Sequence, residues 1–271
     1  MSWALVARKD FQDAIRSRIL GTLLGLFVVA LVVVTLGHRL VASYPRTSGL
    51  IVYLIELTKW LVPVAALLAG YNAVVGERAG GTLTFLLGLP HTRRDVIVGK
   101  AVGRTGAVLL PVTAGFLGTA VAVVVAYPTF RVWHFLAVVG ASLLLAATFV
   151  SVAVGLSALV RSPVRTVAVT MGLFVVWMFL WDLVPTGIYF LLHGSVPGSQ
   201  VPPDWFFFVQ RLNPLDGYLA LVTAALPTLE SPVPSPRAAY LSPAVTLLVF
   251  AAWLVGPLAV GYLRFRSADL S

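Results

Sequence analysis

The sequence predicts an all-α polytopic membrane protein, and three observations lead to this fold class. The 271 residues are 59% hydrophobic and only 11% charged, whereas soluble domains carry about 25% charged residues. The mean hydropathy of the chain is +0.96. Apolar runs at residues 19–36, 102–126 and 135–160 reach the roughly 20 residues that a membrane-spanning helix needs. Composition therefore excludes a soluble protein.

The stretch ahead of the first apolar run carries one apolar face. Trp3, Ala7, Phe11 and Ile15 recur every four residues and so share one side of a helix, while charged residues cover much of the rest. This pattern predicts an interfacial helix lying flat on the membrane, with a disordered basic head as the alternative. No cleavable signal is evident, so the first apolar run is expected to stay as a signal anchor.

Six apolar segments are predicted to cross the membrane, and the whole chain, residues 1–271, is predicted to be a single transmembrane domain. The predicted spans cover residues 19–36, 51–75, 102–126, 133–160, 166–184 and 244–263. The remaining parts are the interfacial helix at 1–18, a polar coupling region at 76–100 and an outer cap at 185–241.

The coupling region reads GERAGGTLTFLLGLPHTRRDVIVGK and interrupts the apolar sequence between the second and third spans. It is too polar for hydrocarbon, yet Leu83, Leu86 and Leu87 form an apolar stripe. A short helix in the membrane interface, or against a soluble partner, satisfies both constraints. Gly88 and Pro90 are expected to end this helix.

The second half of the coupling region contains the start signal of another helix. Thr92 and Asp95 resemble a capping box, which predicts a helix that continues into the third span. Lys100 and Arg104 share one face at the inner membrane edge, where we expect them to reach lipid headgroups. Arg93 is assigned to the same anchoring of the inner interface.

The segment between the fifth and sixth spans is predicted to be a folded outer helical cap. Residues 205–208 form a dense aromatic cluster that suits a membrane interface. Asn213 and Pro214 are typical of an N-cap and a first helical position, which predicts a helix to about residue 226. A flexible loop is the alternative.

Basic residues are distributed unevenly over this topology. With the N-terminus inside, the inner segments hold 13 of the 19 basic residues and five of the ten acidic residues. By the positive-inside rule, this excess predicts a multi-pass protein of the cytoplasmic membrane with both termini in the cytoplasm. Topology thus accounts for the formal charge of +9, and no nucleic-acid partner is needed.

Searches for catalytic and metal-binding motifs fail in this sequence. The chain has no cysteine, which excludes thiolate metal sites and cysteine nucleophiles. It has no phosphate-binding loop, zinc-protease or serine-hydrolase motif. The four histidines lie in separate segments, so no metal site is predicted. Asp182 is the most membrane-embedded acid, and its position near a membrane edge favours a structural role over a functional one.

Ionisable groups are scarce within the predicted spans, and this scarcity indicates how the protein is supplied with energy. A proton- or sodium-coupled transporter would need such groups deep in the bundle. We therefore expect energy to arrive from outside the membrane, through the coupling region. An intramembrane enzyme and a purely structural anchor are the other classes considered, and the enzyme would need a compact polar cluster that the sequence does not show.

The chain resembles the permease subunits of ABC-2 type transporters. The motifs that carry this resemblance are ARKD at 7–10 with RSR at 16–18, GERAGGTL at 76–83, and LLGLPHTR at 86–93 continued by VGK at 98–100. More narrowly, the chain resembles the NosY-type permeases of nitrous-oxide-reductase maturation. The motifs are AGYNAVVGE at 69–77, FLWDLV at 179–184 and LNPLDGY at 212–218.

The resemblance implies a non-catalytic subunit that forms a homodimer in the membrane lipid and works with a separate ABC ATPase. ATP and Mg²⁺ would bind to that ATPase, and this chain would bind no cofactor and no metal. The first part of the coupling region would be the coupling helix, seated on the ATPase. The implied coupling residues are Glu77, Arg78, Gly81, Thr82, Leu83 and Leu86.

The NosY-type resemblance also implies an outer, NosD-like accessory protein and a role in copper or sulfur supply to nitrous oxide reductase. Asp182, Asn213 and Asp216 match this subgroup and are candidates for an outer gate or cap. The second arginine, Arg94, departs from the family pattern and identifies no substrate. An exporter of drugs, lipids or other hydrophobic compounds is therefore the alternative.

Overall fold

A computed structural model describes residues 3–41, 47–81, 92–198, 201–226 and 238–266 of the chain. Within these ranges the regular structure is helical, with no strand. Six of the described helical segments are long and apolar enough to cross a membrane. The predicted fold class, a polytopic all-α membrane protein, is therefore confirmed.

Eleven α-helices are described, and we number them in chain order. They are α1 (Trp3–Ile15), α2 (Arg18–Val41), α3 (Thr47–Gly70), α4 (Val75–Ala79), α5 (Arg93–Ala126), α6 (Val132–Leu159), α7 (Pro163–Val175), α8 (Leu183–His193), α9 (Asp204–Arg211), α10 (Pro214–Ala225) and α11 (Pro243–Arg266). A π-helical segment, Val176–Leu180, extends α7, and a 3₁₀ turn, Ala239–Leu241, precedes α11.

The six candidate spans follow the predicted order. They are Gly21–Val41, Thr47–Ala79, Arg93–Ala126, Val132–Leu159, Pro163–Leu180 and Pro243–Arg266. Helix α6 is the most buried span and packs against α3, α5, α10 and α11. Spans α2, α7 with its π segment, and α11 are the least buried, with 18%, 22% and 17% of the residues in their apolar windows buried, as expected of helices that lipid or another subunit surrounds.

Helix α5 begins nine residues before the predicted third span because its first turn is capped. The Thr92 side chain accepts from the backbone N–H of Asp95, and the Asp95 carboxylate accepts from the backbone N–H of Thr92. This reciprocal capping box satisfies two N–H groups that a helix start leaves unpaired. The second half of the coupling region is therefore continuous with the third span.

Helix α1 packs against the first turns of α5. It is therefore part of the helix bundle and is not an isolated helix at a membrane surface. A Cβ atom at Gly99 would fall 2.6 Å from the Cβ of Val6, and one at Gly103 would fall 2.6 Å from the carbonyl oxygen of Ala7. The helix was predicted, but its buried face differs from the predicted apolar face. Val6, Ala7, Asp10 and Ala14 are buried, whereas Trp3 and Ile15 are exposed.

The described part of the segment after the fifth span is folded. The π segment ends the fifth span at Leu180, four residues before the predicted end, and the chain turns at Trp181 and Asp182 into α8. Helices α8 and α9 meet through the rings of Tyr189, Trp205 and Phe206. Helix α10 then packs back between α6 and α11. The predicted helix after Asn213 is thus present.

Candidate coupling site

Helix α4 lies where the ends of several spans meet, and we call this part of the molecule the α4 end. The residues that lead into α4 are tightly enclosed, since Ala73, Val74 and Val75 are at most 1% exposed. The backbone N–H groups of Val74 and Val75 both donate to the hydroxyl oxygen of Ser157, each at 3.0 Å. Because Ser157 lies in the last turn of α6, the start of α4 is hydrogen-bonded to the most buried span.

Four charged side chains form an ionic cluster at the α4 end. Lys100 Nζ lies 3.3 Å from Asp10 Oδ1 and 2.7 Å from Glu77 Oε1. Arg104 Nε lies 2.8 Å from Asp10 Oδ2, and its Nη2 donates to Asp10 Oδ1 at 3.3 Å. The ionic cluster therefore joins three separate segments, because Asp10 is in α1, Glu77 is in α4 and both cations are in α5.

The position of Lys100 corrects one prediction. We expected its ammonium group to reach lipid headgroups, but Lys100 is only 1% exposed and Asp10 only 4% exposed. The close packing of α1 on Gly99 and Gly103 places the Asp10 carboxylate over α5. A buried charge is tolerated when an opposite charge pairs with it, so Lys100 turns inward.

Arg104 also turns into the protein. Besides its contacts with Asp10, its Nη1 donates to the carbonyl oxygen of Ala69 at 3.0 Å. Ala69 lies in the last turn of α3, whose final carbonyls have no partner within the helix. Arg104 therefore ties α3 to α1 and α5. This bonding differs from the predicted contact with headgroups, and the anchoring role stays a prediction.

Arg93 and Arg78 meet at the last turn of α11. Arg93 Nη1 donates to the carbonyl oxygens of Phe265, at 2.5 Å, and Arg266, at 3.2 Å. The guanidinium carbons of Arg93 and Arg78 lie 5.4 and 5.5 Å from the centroid of the Phe265 ring. Cations are favourable at the carbonyl end of a helix and over an aromatic ring. The first residues of α5 are thereby joined to the end of α11.

The predicted contact residues of the coupling helix fall partly outside the described chain. Gly81 is the last described residue before the gap, and its φ of +72° is a left-handed conformation that favours glycine. Thr82, Leu83 and Leu86 lie outside the described residues.

Asp182, Asn213 and Asp216 come together at the other end of the bundle. Asn213 is buried and caps α10, since its Oδ1 accepts from the N–H of Leu215 at 3.0 Å. Its Nδ2 donates to the Trp177 carbonyl at 2.9 Å and to Asp216 Oδ2 at 2.8 Å. Asn213 therefore links α10 to the π segment.

The two acids of this region lie in different environments. Asp182 is exposed and accepts a hydrogen bond from Gln210 Nε2 at 3.3 Å. Burial raises the pKa of Asp216 to about 6, the nearby Asp182 adds to the rise, and Lys59 and the bond from Asn213 oppose it. Asn213 and Asp216 are thus hydrogen-bonded to each other, and Asp182 lies near enough to act on Asp216 electrostatically. Their role as a gate or cap stays a prediction.

Two features of the α4 end escaped the sequence analysis. Ser157 is one of three serines in an apolar helix, and only the fold brings its hydroxyl to the start of α4. The second feature is the glycine pair of α5 at Gly99 and Gly103, whose i, i+4 spacing indicates close helix packing and was available in the sequence. Among the described residues, no three carboxylate or imidazole side chains are grouped in a way that could hold a metal ion.

Comparison with known proteins places the chain among membrane transport proteins. Residues 4–270 match the family described as ABC-2 family transporter protein. A protein of Stutzerimonas stutzeri named "Probable ABC transporter permease protein NosY" is 31% identical over 274 residues, with 96% of each chain covered. A protein of the same name from Pseudomonas aeruginosa is 28% identical over 276 residues, again with 96% of each chain covered.

Proposed function

Because the chain belongs to the ABC-2 transporter family and is the transmembrane permease subunit of an ABC transporter, we propose that a separate ATPase subunit drives it through α4. In this family the permease is a membrane subunit and is generally not the catalytic one. ATP and Mg²⁺ would therefore bind to the partner ATPase. Docking of that ATPase would involve the segment that follows α4, including Thr82, Leu83 and Leu86.

One observation carries this proposal: an ion pair, two hydrogen bonds and a cation–π contact join α4 and the residues leading into it to three different elements. Glu77 pairs with Lys100 of α5 at 2.7 Å. Ser157 of α6 accepts from the two N–H groups at the start of α4. Arg78 lies over the Phe265 ring of α11. A displacement of α4 by an ATPase would reach the spans through these contacts.

The ionic cluster would extend the displacement to α1 and α3. Asp10 holds Lys100 and Arg104 together, and Arg104 also holds the end of α3. Short, buried ion pairs resist separation because a lone charge in a dry interior is costly. We infer that α1, α4 and the first turns of α5 move as one body when the ATPase acts.

The distribution of charge supports an orientation with the α4 end in the cytoplasm. Most of the basic residues that the topology assigns to the inner side belong to α1, α4, α5, the α6–α7 turn and the end of α11. The positive-inside rule then favours cytoplasmic termini in the cytoplasmic membrane. This orientation exposes α4 to a cytoplasmic ATPase.

We further propose a homodimer, supported by the apolar surfaces that α2, α7 and α11 leave uncovered. The relatives named NosY favour delivery of copper or sulfur for nitrous oxide reductase over generic export. In that case an outer, NosD-like accessory protein would dock on α8–α10. Export of drugs, lipids or other hydrophobic compounds remains the second candidate.

Co-purification with a candidate ATPase tests the coupling role. We expect Leu83→Asp to abolish co-purification, since a carboxylate would replace an apolar contact. We expect Glu77→Gln to retain the complex and to lose most of the permease-dependent ATPase activity. The matched control is Glu56→Gln, which neutralises an exposed acid in α3. Normal complex and activity in both test variants would refute the proposal.

A strain that lacks the chain distinguishes the two candidate substrates. If the system serves nitrous oxide reductase, that enzyme should accumulate in the strain with a defective copper centre. A generic exporter predicts a normal enzyme and altered resistance to hydrophobic compounds. The copper content of the purified reductase is the measurement.

A further inference from the structure

The fifth span contains a short π-helical segment, Val176–Leu180. A π-helical hydrogen bond joins residues five apart, whereas an α-helical bond joins residues four apart, so the segment encloses one extra residue. The backbone keeps helical dihedral angles through Trp181 and Asp182 into α8. Conversion of the π segment to α-helix would therefore rotate α8 by about 100° and shift it by about 1.5 Å relative to α7.

The end of α9 and the two residues that follow it, 209–213, contact this span, and we call them the link segment. Asn213 Nδ2 donates to the carbonyl oxygen of Trp177 at 2.9 Å. Trp177 is only 3% exposed, and its ring packs edge-on against Phe149 of α6 and Trp253 of α11, with centroids 5.3 and 5.0 Å away. The start of the π segment is therefore fixed to the link segment and to two other spans.

The link segment also contacts the residues that follow the π segment. Trp181 Nε1 donates to the carbonyl oxygen of Val209 at 3.2 Å, and Gln210 Nε2 donates to Asp182 Oδ1 at 3.3 Å. Together with the bond to Trp177, these contacts hold the fifth span on both sides of the extra residue. A conversion to α-helix would break some of them, because it would rotate Trp181 and Asp182 relative to Trp177.

The link segment is itself attached to the sixth span. Trp253 Nε1 of α11 donates to the carbonyl oxygen of Leu212 at 2.8 Å. Arg211 donates to the carbonyl oxygen of Leu241, in the turn before α11. The π segment, in contrast, keeps an exposed side, since Leu180 is 46% exposed. The bundle thus fixes the residues on both sides of the segment and leaves one side of it uncovered, where the backbone can rearrange.

We propose that the π segment is a register switch, which the link segment holds in the π register and which converts to α-helix when these contacts are broken. π-Helical turns inside α-helices are frequent at functional sites. The change of register would move α8 and the outer cap. Its use in transport rests on the proposed function, because an ATPase acting on α4 would displace α7, against which α4 packs.

Deletion of the extra residue tests this switch. Removal of Leu180 should leave a regular α-helix that keeps the contacts of Trp177, Trp181 and Asp182, because the π segment holds one residue more than an α-helix needs. We expect the variant to melt at or above the temperature of the unmodified chain. Removal of Val169, which is also 46% exposed but lies in the α-helical part of the same span, should lower that temperature by at least about 5 °C.

Cross-linking of the isolated chain reports the register directly. The chain has no cysteine, so a short bifunctional methanethiosulfonate reacts only with introduced pairs. The pair of Asp182→Cys and Gln210→Cys reports the π register, since these two side chains are hydrogen-bonded. In the α register, residue 181 takes the orientation of residue 182. The pair of Trp181→Cys and Gln210→Cys therefore reports the α register.

Asn213→Ser should favour the α register, because serine still caps α10 but lacks the amide that donates to Trp177. The loss of this bond should raise cross-linking of the α-register pair relative to the π-register pair by about fivefold. In the chain without Leu180 the same substitution should leave the ratio unchanged, since no extra residue remains. Asn72→Ser, at an exposed position before α4, is the matched control and should change neither rate.

The complex with the ATPase tests the use of the switch. Removal of Leu180 should retain co-purification and abolish most of the permease-dependent ATPase activity. Normal activity in this variant would overturn the register switch and leave the proposed function intact. An unchanged cross-linking ratio in Asn213→Ser, or a loss of stability as large as that for removal of Val169, would also overturn it. If the unmodified chain failed to bind the ATPase, the proposed function would be refuted, and the cross-linking ratio would still decide the switch.

Discussion

At the scale of single residues, Asp10 organises the α4 end. Its carboxylate is almost completely buried, yet it contacts both Lys100 and Arg104. An isolated carboxylate in this position would be costly, so the acid and its two cations depend on one another. The acid is on α1 and the cations are on α5, which makes Asp10 the electrostatic link between the N-terminal helix and the third span.

Asp10→Asn is expected to destabilise the protein by about 3 kcal/mol, because it leaves Lys100 and Arg104 short of a buried counter-charge. The measurement is the apparent melting temperature in detergent. Asp13→Asn is the control, since Asp13 is an exposed acid on the same helix. Equal melting temperatures for the two variants would contradict a structural role of the ionic cluster.

Ser157 is the second residue whose substitution should lower the stability of the protein by a predictable amount. Ser157→Ala leaves the buried N–H groups of Val74 and Val75 without their acceptor, which costs about 1–3 kcal/mol for each unsatisfied group. We expect lower stability and weaker coupling of ATPase activity to the permease. Thr35→Val removes a buried hydroxyl of α2 that donates within its own helix, to the carbonyl oxygen of Leu31, and should be nearly neutral in both measurements.

Asp216 predicts a pH dependence at the opposite end. Because its pKa rises from 3.8 to about 6 on folding, the folded protein binds more protons than the unfolded chain between these values. Stability should therefore fall as the pH rises through this window. Asp216→Asn resembles the protonated acid, so we expect it to raise the melting temperature at pH 7.5 and to flatten the profile between pH 4 and 6. A melting profile with an unchanged slope would contradict this prediction.

At the scale of elements, the contact between α1 and α5 shows what a sequence pattern can and cannot tell. The capping box of Thr92 and Asp95 was predicted and is present, because it depends on residues three positions apart. The buried face of α1 was not predicted, because the glycines that receive it lie about 90 residues away. Hydrogen bonds between neighbouring residues can therefore be predicted from the sequence. The helix against which a given helix face packs cannot.

Gly103→Leu is expected to displace α1 from α5, since a Cβ at this position would lie 2.6 Å from the carbonyl oxygen of Ala7. The chain has no cysteine, so Ala14→Cys, at a position that is 0% exposed, provides a single label. Maleimide labelling of Ala14→Cys should be slow alone and fast with Gly103→Leu. Gly118→Leu, where the closest atom to a Cβ is 3.9 Å away, should leave labelling slow.

At the scale of the whole molecule, the charged and polar sites lie at two opposite ends of the bundle. The α4 end carries the ionic cluster, the contacts of Arg78 and Arg93 with Phe265, and α4, which precedes the segment proposed to meet the ATPase. The opposite end carries α8, α9 and the polar site of Asp182, Asn213 and Asp216. In the proposed function the ATPase acts at the α4 end, so its action would have to pass through the bundle to affect the opposite end.

Labelling from outside the cell tests the proposed orientation. We expect an impermeant maleimide to modify Ser195→Cys in intact cells and Arg8→Cys only after permeabilisation, since both positions are exposed and lie at opposite ends. The positive-inside distribution of basic residues is the physical reason. Modification of Arg8→Cys in intact cells would refute cytoplasmic termini.

The sequence by itself determined the membrane class, the six apolar segments, the charge asymmetry and the family, because each depends on composition or on local motifs. The helix start at Thr92 and the N-cap at Asn213 were equally local. Only the tertiary structure decided that Lys100 faces Asp10 and Glu77 and not lipid, that Ser157 holds the start of α4, and that Arg78 and Arg93 both lie over the ring of Phe265. These arrangements join residues distant in sequence, and a buried charge takes its partner from whichever helix the packing brings alongside it.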